Sequence, residues 1–275
     1  MNYILYDIFQ SNPSSYWFWF AVVFVVGCCM GSFLNVCIWR MPLGESVITA
    51  PSHCPKCGHQ IKWYENIPLV SFLCLRARCS GCGQPITWRY FIVELLTGAL
   101  FAIAYFAITY KGMMFALMIP FGAMIMLAVA SAFIDVEHRI IPDALNFPAM
   151  IVGIVFWCVE WLLSIVAWQF LCAVAVCGFG AWGLFYLLSI LGERIFKTDA
   201  LGQGDVKFLA ATAFLFGPAM FFEYFTGLLI ASLSGFIFGL VYCLVKKKSL
   251  RHCAVPFGPF LAAGMILAMF IPVIK

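Results

Sequence analysis

Asp205 lies in Gly202-Gln203-Gly204-Asp205-Val206-Lys207, with two glycines ahead of it and an apolar run behind. Asp135 closes a second apolar run in Ile134-Asp135-Val136-Glu137-His138-Arg139-Ile140-Ile141-Pro142-Asp143. Ionisable groups at the edge of lipid are unfavourable and mark functional sites by default. Two carboxylates a few Å apart cannot both be ionised without strong repulsion, so they hold one proton jointly. One can then activate water while the other protonates a leaving amide, which is what aspartyl proteolysis requires. Gly202 and Gly204 leave the backbone ahead of Asp205 free of Cβ atoms, giving an extended substrate strand room to approach. Lys207 is placed either to steady the ionised carboxylate or to snorkel toward the interface. Helix N-capping is the structural use that competes for Asp205 and Asp143, and an ordinary boundary charge is the plain reading of Asp135.

A second constellation suits metal. Cys54-Pro55-Lys56-Cys57 and Cys79-Ser80-Gly81-Cys82 are CxxC pairs separated by 21 residues, close to the spacing of a two-knuckle zinc site. Each pair is followed by a glycine, Gly58 and Gly83, which permits the turn that aims both thiolates at one ion. Four soft ligands leave no open position, so structural zinc is the expected metal. Disulfides are the alternative, disfavoured if the loop faces a reducing compartment. His53 and His59 flank the first knuckle, but four cysteines already complete the ligand set. The other nine cysteines lie mostly in apolar runs, where free Cys acts as a small hydrophobe.

The elements that must position these groups follow from composition. Of the 275 residues, 64% are hydrophobic and 10% charged, against about 25% charged in soluble domains, and the mean hydropathy is +1.01. This is a polytopic membrane protein. Met1 to Gln10 contain no Lys or Arg and so lack the basic start of a cleaved signal, which predicts a retained first span. With about 20 apolar residues needed per crossing, eight spans are expected: Tyr16 to Trp39, Phe91 to Tyr110, Met113 to Ile134, Leu145 to Leu163, Ile165 to Leu191, Val206 to Phe222, Tyr224 to Val245 and Val255 to Ile274. Val206 to Phe222 is interrupted by Gly217-Pro218 and is expected to be short or bent. Gly27 and Gly31, Gly178, Gly180 and Gly183, and Gly235 and Gly239 have the spacing of close helix contacts.

Basic residues set the orientation, since Lys and Arg collect on the cytoplasmic side. With the N-terminus outside, all of the sixteen Lys and Arg except Lys111 and Lys275 fall inside, and Asp135 and Asp205 share the cytoplasmic face. The net charge of +4 is thus topological and gives no reason to invoke nucleic acid. Glu94, a few residues inside the second span, either snorkels or lines a site with the cytoplasmic loop. Glu160, beside Trp161, reads as interfacial, and Glu137, His138 and Arg139 read as solvated loop charges.

Gly31-Ser32-Phe33-Leu34-Asn35-Val36, the two CxxC pairs, Arg89-Tyr90 with Val93-Glu94-Leu95-Leu96-Thr97-Gly98, Ile134-Asp135 with Pro142-Asp143, and the GxGD box occur in this order. Together they resemble the type IV prepilin peptidases, the GxGD aspartyl protease family of prepilin leader peptidase/N-methyltransferases, over most of the chain. The resemblance implies an all-α polytopic membrane protein of about eight transmembrane helices with a small cytoplasmic zinc-binding loop domain. Residues 1–40 would hold the first helix, 41–90 the zinc loop and a methyltransferase region, and 91–275 a seven-helix peptidase core. It implies cleavage of the leader of type IV prepilins and type II secretion pseudopilins on the cytoplasmic side of the bacterial inner membrane. N-methylation of the new N-terminal residue, with S-adenosylmethionine as donor, would follow. The family's catalytic pair maps onto Asp135 and Asp205, with Asp143, Gly202, Gly204 and Lys207 in support.

For methyl transfer the residues themselves offer no independent sign, because the glycine-rich fingerprint of soluble nucleotide-binding folds is missing. The zinc loop is expected to hold the methyl donor or the substrate's exposed head in register. A proton-coupled transporter using Asp135, Asp205 and Glu94 as relay groups is the alternative, but it predicts inverted repeats with broken helices, and none is visible. A zinc-bearing scaffold without catalysis would tolerate loss of Asp205.

Overall fold

Uninterrupted apolar runs satisfy their backbone within lipid by forming helices. The computed structural model describes residues 13–48, 51–196, 201–246 and 256–271. Met1 to Gln10, Cys253, Lys197, Lys247, Lys248, Arg251 and Lys275, on which parts of the sequence reading rest, lie outside them. Among the described residues the helices are α1 (Pro13–Arg40), α2 (Val70–Cys74), α3 (Arg89–Tyr110), α4 (Met118–His138), α5 (Asp143–Leu162), α6 (Trp168–Phe196), α7 (Gln203–Phe216), α8 (Phe221–Lys246) and α9 (Gly258–Phe270). Strand pairing among the described residues is limited to two isolated bridges, His53 with Gln60 and Arg78 with Pro85.

Among the described residues every predicted span becomes a helix, but six are long and apolar enough to cross a membrane. The exceptions are α9, with 13 residues, and α7, with 14. At 1.5 Å per residue α7 is about 21 Å long, short of a hydrocarbon core of about 30 Å. Its end is set by Gly217, whose φ of +61° breaks the helix before Pro218.

The chain divides into two compact units, Met1–Met118 and Ile119–Lys275. In the first, α1 packs along α3. A Cβ on Gly27 would lie 2.7 Å from Cβ of Phe101, and one on Gly31 would lie 2.7 Å from Cα of Glu94, so the small residues bring the two backbones together as their spacing predicts.

In the second unit α7 is the core. It is apolar on all sides, as a helix must be when others surround it, and Phe208 to Phe216 are all buried. It packs on α5 and α6. Gly153 of α5 faces the backbone of Phe214, and Gly178 of α6 faces its ring. Nε1 of Trp157 donates to the Phe214 carbonyl at 3.1 Å, and the hydroxyl of Tyr224 donates to the Leu209 carbonyl at 3.1 Å. Helices α8 and α9 meet where Gly227 and Gly264 face each other. Gly180, Gly183 and Gly239 have open space where a Cβ would go, so their spacing does not mark contacts. Glu160 is buried at 5% exposure rather than interfacial.

Candidate functional site

Asp135 occupies the last turn of α4 and is 7% exposed. Its Oδ2 accepts a hydrogen bond from the Gly258 amide at 2.8 Å, so the carboxylate sits at the N-terminal end of α9. That end carries unsatisfied N–H groups and partial positive charge, which favour an anion. A Cβ on Gly258 would lie 2.9 Å from both Cβ and Oδ2 of Asp135, so only glycine fits without displacing the acid. Sequence reading missed Gly258, since a Gly-Pro step ahead of an apolar run signals only a helix start. Replacing Gly258 with alanine should lower any activity of this site by about 100-fold, because small misplacements of a reacting group have effects of that size. Near-native activity in that variant would show that Asp135 does not depend on the fit.

Asp205 stands in the first turn of α7, half-buried, one turn after the N-cap Gly202. The helix starts at Gln203 and no side chain caps it, so Asp205 is not the N-cap and capping does not explain it. Asp135 and Asp205, far apart in sequence, come near enough for the charge of one to act on the other.

The flanking residues depart from the sequence reading. Lys207 Nζ forms a two-pronged ion pair with Asp143, 2.8 Å to Oδ1 and 2.7 Å to Oδ2, and lies 5.8 Å from the centre of the Phe147 ring. It neither snorkels nor steadies the aspartate pair; instead it ties the start of α7 to the start of α5. Asp143 makes no cap bond, and Pro142 holds the N-cap position. The glycines of the GxGD box are used against the chain itself. A Cβ on Gly204 would lie 3.0 Å from Cβ and the carbonyl oxygen of Ile141, and one on Gly202 would lie 3.2 Å from Oδ2 of Asp205.

The loop between α1 and α3 holds the second candidate site. The ligand atoms of Cys54, Cys57, Cys79 and Cys82 all lie within 4.8 Å of one another, and Cys57 and Cys79 have their sulfurs 3.9 Å apart. Four thiolates about 2.3 Å from a tetrahedral zinc would stand about 3.8 Å apart, so the cluster fits that ion. The two knuckles are built alike. The amides of Gly58 and Gly83 donate to the carbonyls of Cys54 and Cys79, each at 2.9 Å, and the two glycines have φ of +72° and +69°. The amides of Lys56 and Cys57 pull the Cys54 thiol down to about 6, predisposing it to the thiolate that binds metal.

His59 is not a ligand. Its Nε2 lies 3.2 Å from Oε2 of Glu65 and 3.0 Å from the Ser80 hydroxyl, linking the first knuckle to the second. Glu65 also accepts from the Lys62 amide at 2.9 Å. The Ser80 hydroxyl, the Lys62 amide and His59 together hold the Glu65 carboxyl at about 2. Because this value lies below the ordinary 4.5, the stabilisation is full above the ordinary value and is lost as pH falls toward the depressed one. Loss of this bridge in Glu65→Ala should lower zinc affinity about 10-fold, the lower end of effects from groups behind metal ligands. Competition against a chelator measures it, and unchanged affinity would show that the bridge does not support the site.

Glu94 reaches this loop rather than snorkelling. It is 8% exposed, and its Oε2 accepts from the Leu69 amide at 2.8 Å.

Residues 25–108 match the Bacterial Peptidase A24 N-terminal domain, and residues 121–244 match the Type IV leader peptidase family. The chain is similar to the prepilin leader peptidase/N-methyltransferase of Legionella pneumophila, 32% identical over 92% of each chain. It is 32% identical, over 98% of each, to the type 4 prepilin-like proteins leader peptide-processing enzyme of Escherichia coli O78:H11. A relative from Myxococcus xanthus, also named prepilin leader peptidase/N-methyltransferase, is 41% identical over 84% of this chain, which spans 65% of that relative's length. No solved structure matches.

Proposed function

Since the chain belongs to the Type IV leader peptidase family, we propose that it is a bifunctional membrane enzyme that removes the leader of prepilin-type substrates and N-methylates the residue thereby exposed. The observation that carries the peptidase half is the meeting of Asp135, held by the Gly258 amide at the start of α9, with Asp205 in the first turn of α7, within charge reach of one another.

In this reading Asp135, supported by the Gly258 amide, takes a proton from the attacking water. Asp205, which carries the shared proton, gives it to the leaving amide nitrogen, and the pair is reset when the water's proton passes back. Lys207 and Asp143 act one step removed, fixing α7 against α5 so that Asp205 keeps its place. Gly202 and Gly204 serve the same end by allowing that close seating.

Zinc at Cys54, Cys57, Cys79 and Cys82 holds the loop's fold and takes no part in bond breaking. The substrates are type IV prepilins and type II secretion pseudopilins, and the methyl donor is S-adenosylmethionine. The enzyme sits in the lipid of the bacterial inner membrane, N-terminus periplasmic and acids facing the cytoplasm, where the basic residues gather. Residues 1–40 supply the first helix, 41–90 the zinc loop with its part in methylation, and 91–275 the peptidase core.

Detergent-solubilised protein incubated with a prepilin and the methyl donor tests the whole reading. Leader loss followed by a mass gain of one methyl group is expected. A protein that does neither, yet moves protons across vesicles, would instead be a transporter.

A further inference from the structure

The first unit contains a buried acceptor cluster that neither zinc nor the aspartate pair uses. Glu94 is a buried carboxyl near the start of α3, and its partners are the Leu69 amide and the Ser32 hydroxyl, both neutral. Among the described residues no lysine, arginine or histidine pairs with it. Burial among neutral partners disfavours the charged form of this carboxyl, and a cation bound beside it would restore that form.

One turn away, Asn35 of α1 is 2% exposed. Its Nδ2 donates to the Tyr90 carbonyl at 3.0 Å, while its Oδ1 is buried without a hydrogen-bond partner. Tyr90 and Glu94 are four residues apart on one face of α3, and Gly31 and Asn35 stand in the same relation on α1. The register is fixed by Gly31, whose missing Cβ lets α1 lie against the backbone of Glu94. The carboxylate and the amide oxygen therefore belong to one face of one helix pair, where the loop folds back through Leu69. A compact cation with several N–H donors, such as a primary ammonium, matches these acceptors.

We propose that Glu94, Asn35 and Ser32 receive the newly exposed N-terminal ammonium of the cleaved substrate, with Glu94 accepting its proton for methylation. This rests on the N-methyltransferase reading above. An ammonium has no lone pair and cannot attack a methyl group. Transfer of one proton to the Glu94 carboxylate gives a neutral amine. The nitrogen lone pair then forms the new N–C bond while the S–CH3 bond of the sulfonium donor breaks toward sulfur. The products are a cationic N-methyl amine and a neutral thioether, and Glu94 returns its proton to solvent.

The experiment uses full-length protein in detergent with two substrates, an intact prepilin and a pilin already lacking its leader, each with S-adenosylmethionine. Glu94→Gln keeps an oxygen for the Leu69 amide but not the charge. It is expected to cleave at the wild-type rate and to methylate about 100-fold more slowly or worse, with the KM for the donor unchanged. Asn35→Ala should methylate about 10-fold more slowly with cleavage intact. Methylation by Glu94→Gln at the wild-type rate overturns the proposal. So does a raised donor KM with kcat retained, which would assign the cluster to the amino-acid end of the donor. If Glu94→Gln loses cleavage as well through misfolding, Ser32→Ala decides, and wild-type methylation by both Ser32→Ala and Asn35→Ala overturns it. Absence of methylated product from the wild-type protein would instead refute the reading on which this one rests.

Discussion

Asparagine at either Asp135 or Asp205 is expected to abolish leader cleavage, slowing it about 1000-fold or more, within the range of lost general acid–base catalysis. The substitution preserves size and leaves an oxygen that can still accept from the Gly258 amide, which now donates to Asp135 at 2.8 Å. Asp205 makes no cap bond that its loss would break. The variants should therefore fold, and a melting curve matching wild type separates chemistry from stability. Both acids lie in the 119–275 unit, so methylation of a pilin already freed of its leader should survive in each. Full-speed leader loss by either variant would remove the peptidase assignment.

Serine in place of Cys57 should release zinc and abolish methylation. Structural zinc supplies folding free energy outright, and three thiolates with one hydroxyl bind it poorly. The loop it organises includes Leu69, whose amide holds Glu94, so loss of metal would reach the methylation site through a named bond. Cleavage should fall less, because no residue of the aspartate pair belongs to the loop's unit. Zinc content, leader loss and methyl incorporation measured on one preparation check this. A Cys57→Ser protein that is folded and active in both reactions would refute any role for the loop.

Sequence alone was enough for the class and the ingredients. Apolar runs divided by charges locate every described helix but the short α2 of the loop, because a membrane span must satisfy its backbone internally and local composition encodes that. The two CxxC pairs, each with its glycine, identify the thiol cluster, because the knuckle is a local turn whose geometry is set within a few residues. Asp135 and Asp205 stand out because a charge beside an apolar run is locally conspicuous. Tertiary structure alone decided what each residue meets. Gly258 beneath Asp135, the Lys207–Asp143 ion pair, Glu65 between the knuckles, and α7 as a buried helix too short to span all depend on contacts between segments far apart in the chain. Hydrophobic periodicity and motif spacing report each residue's own neighbourhood, whereas these pairings follow from which helix faces pack together, a property of the whole fold.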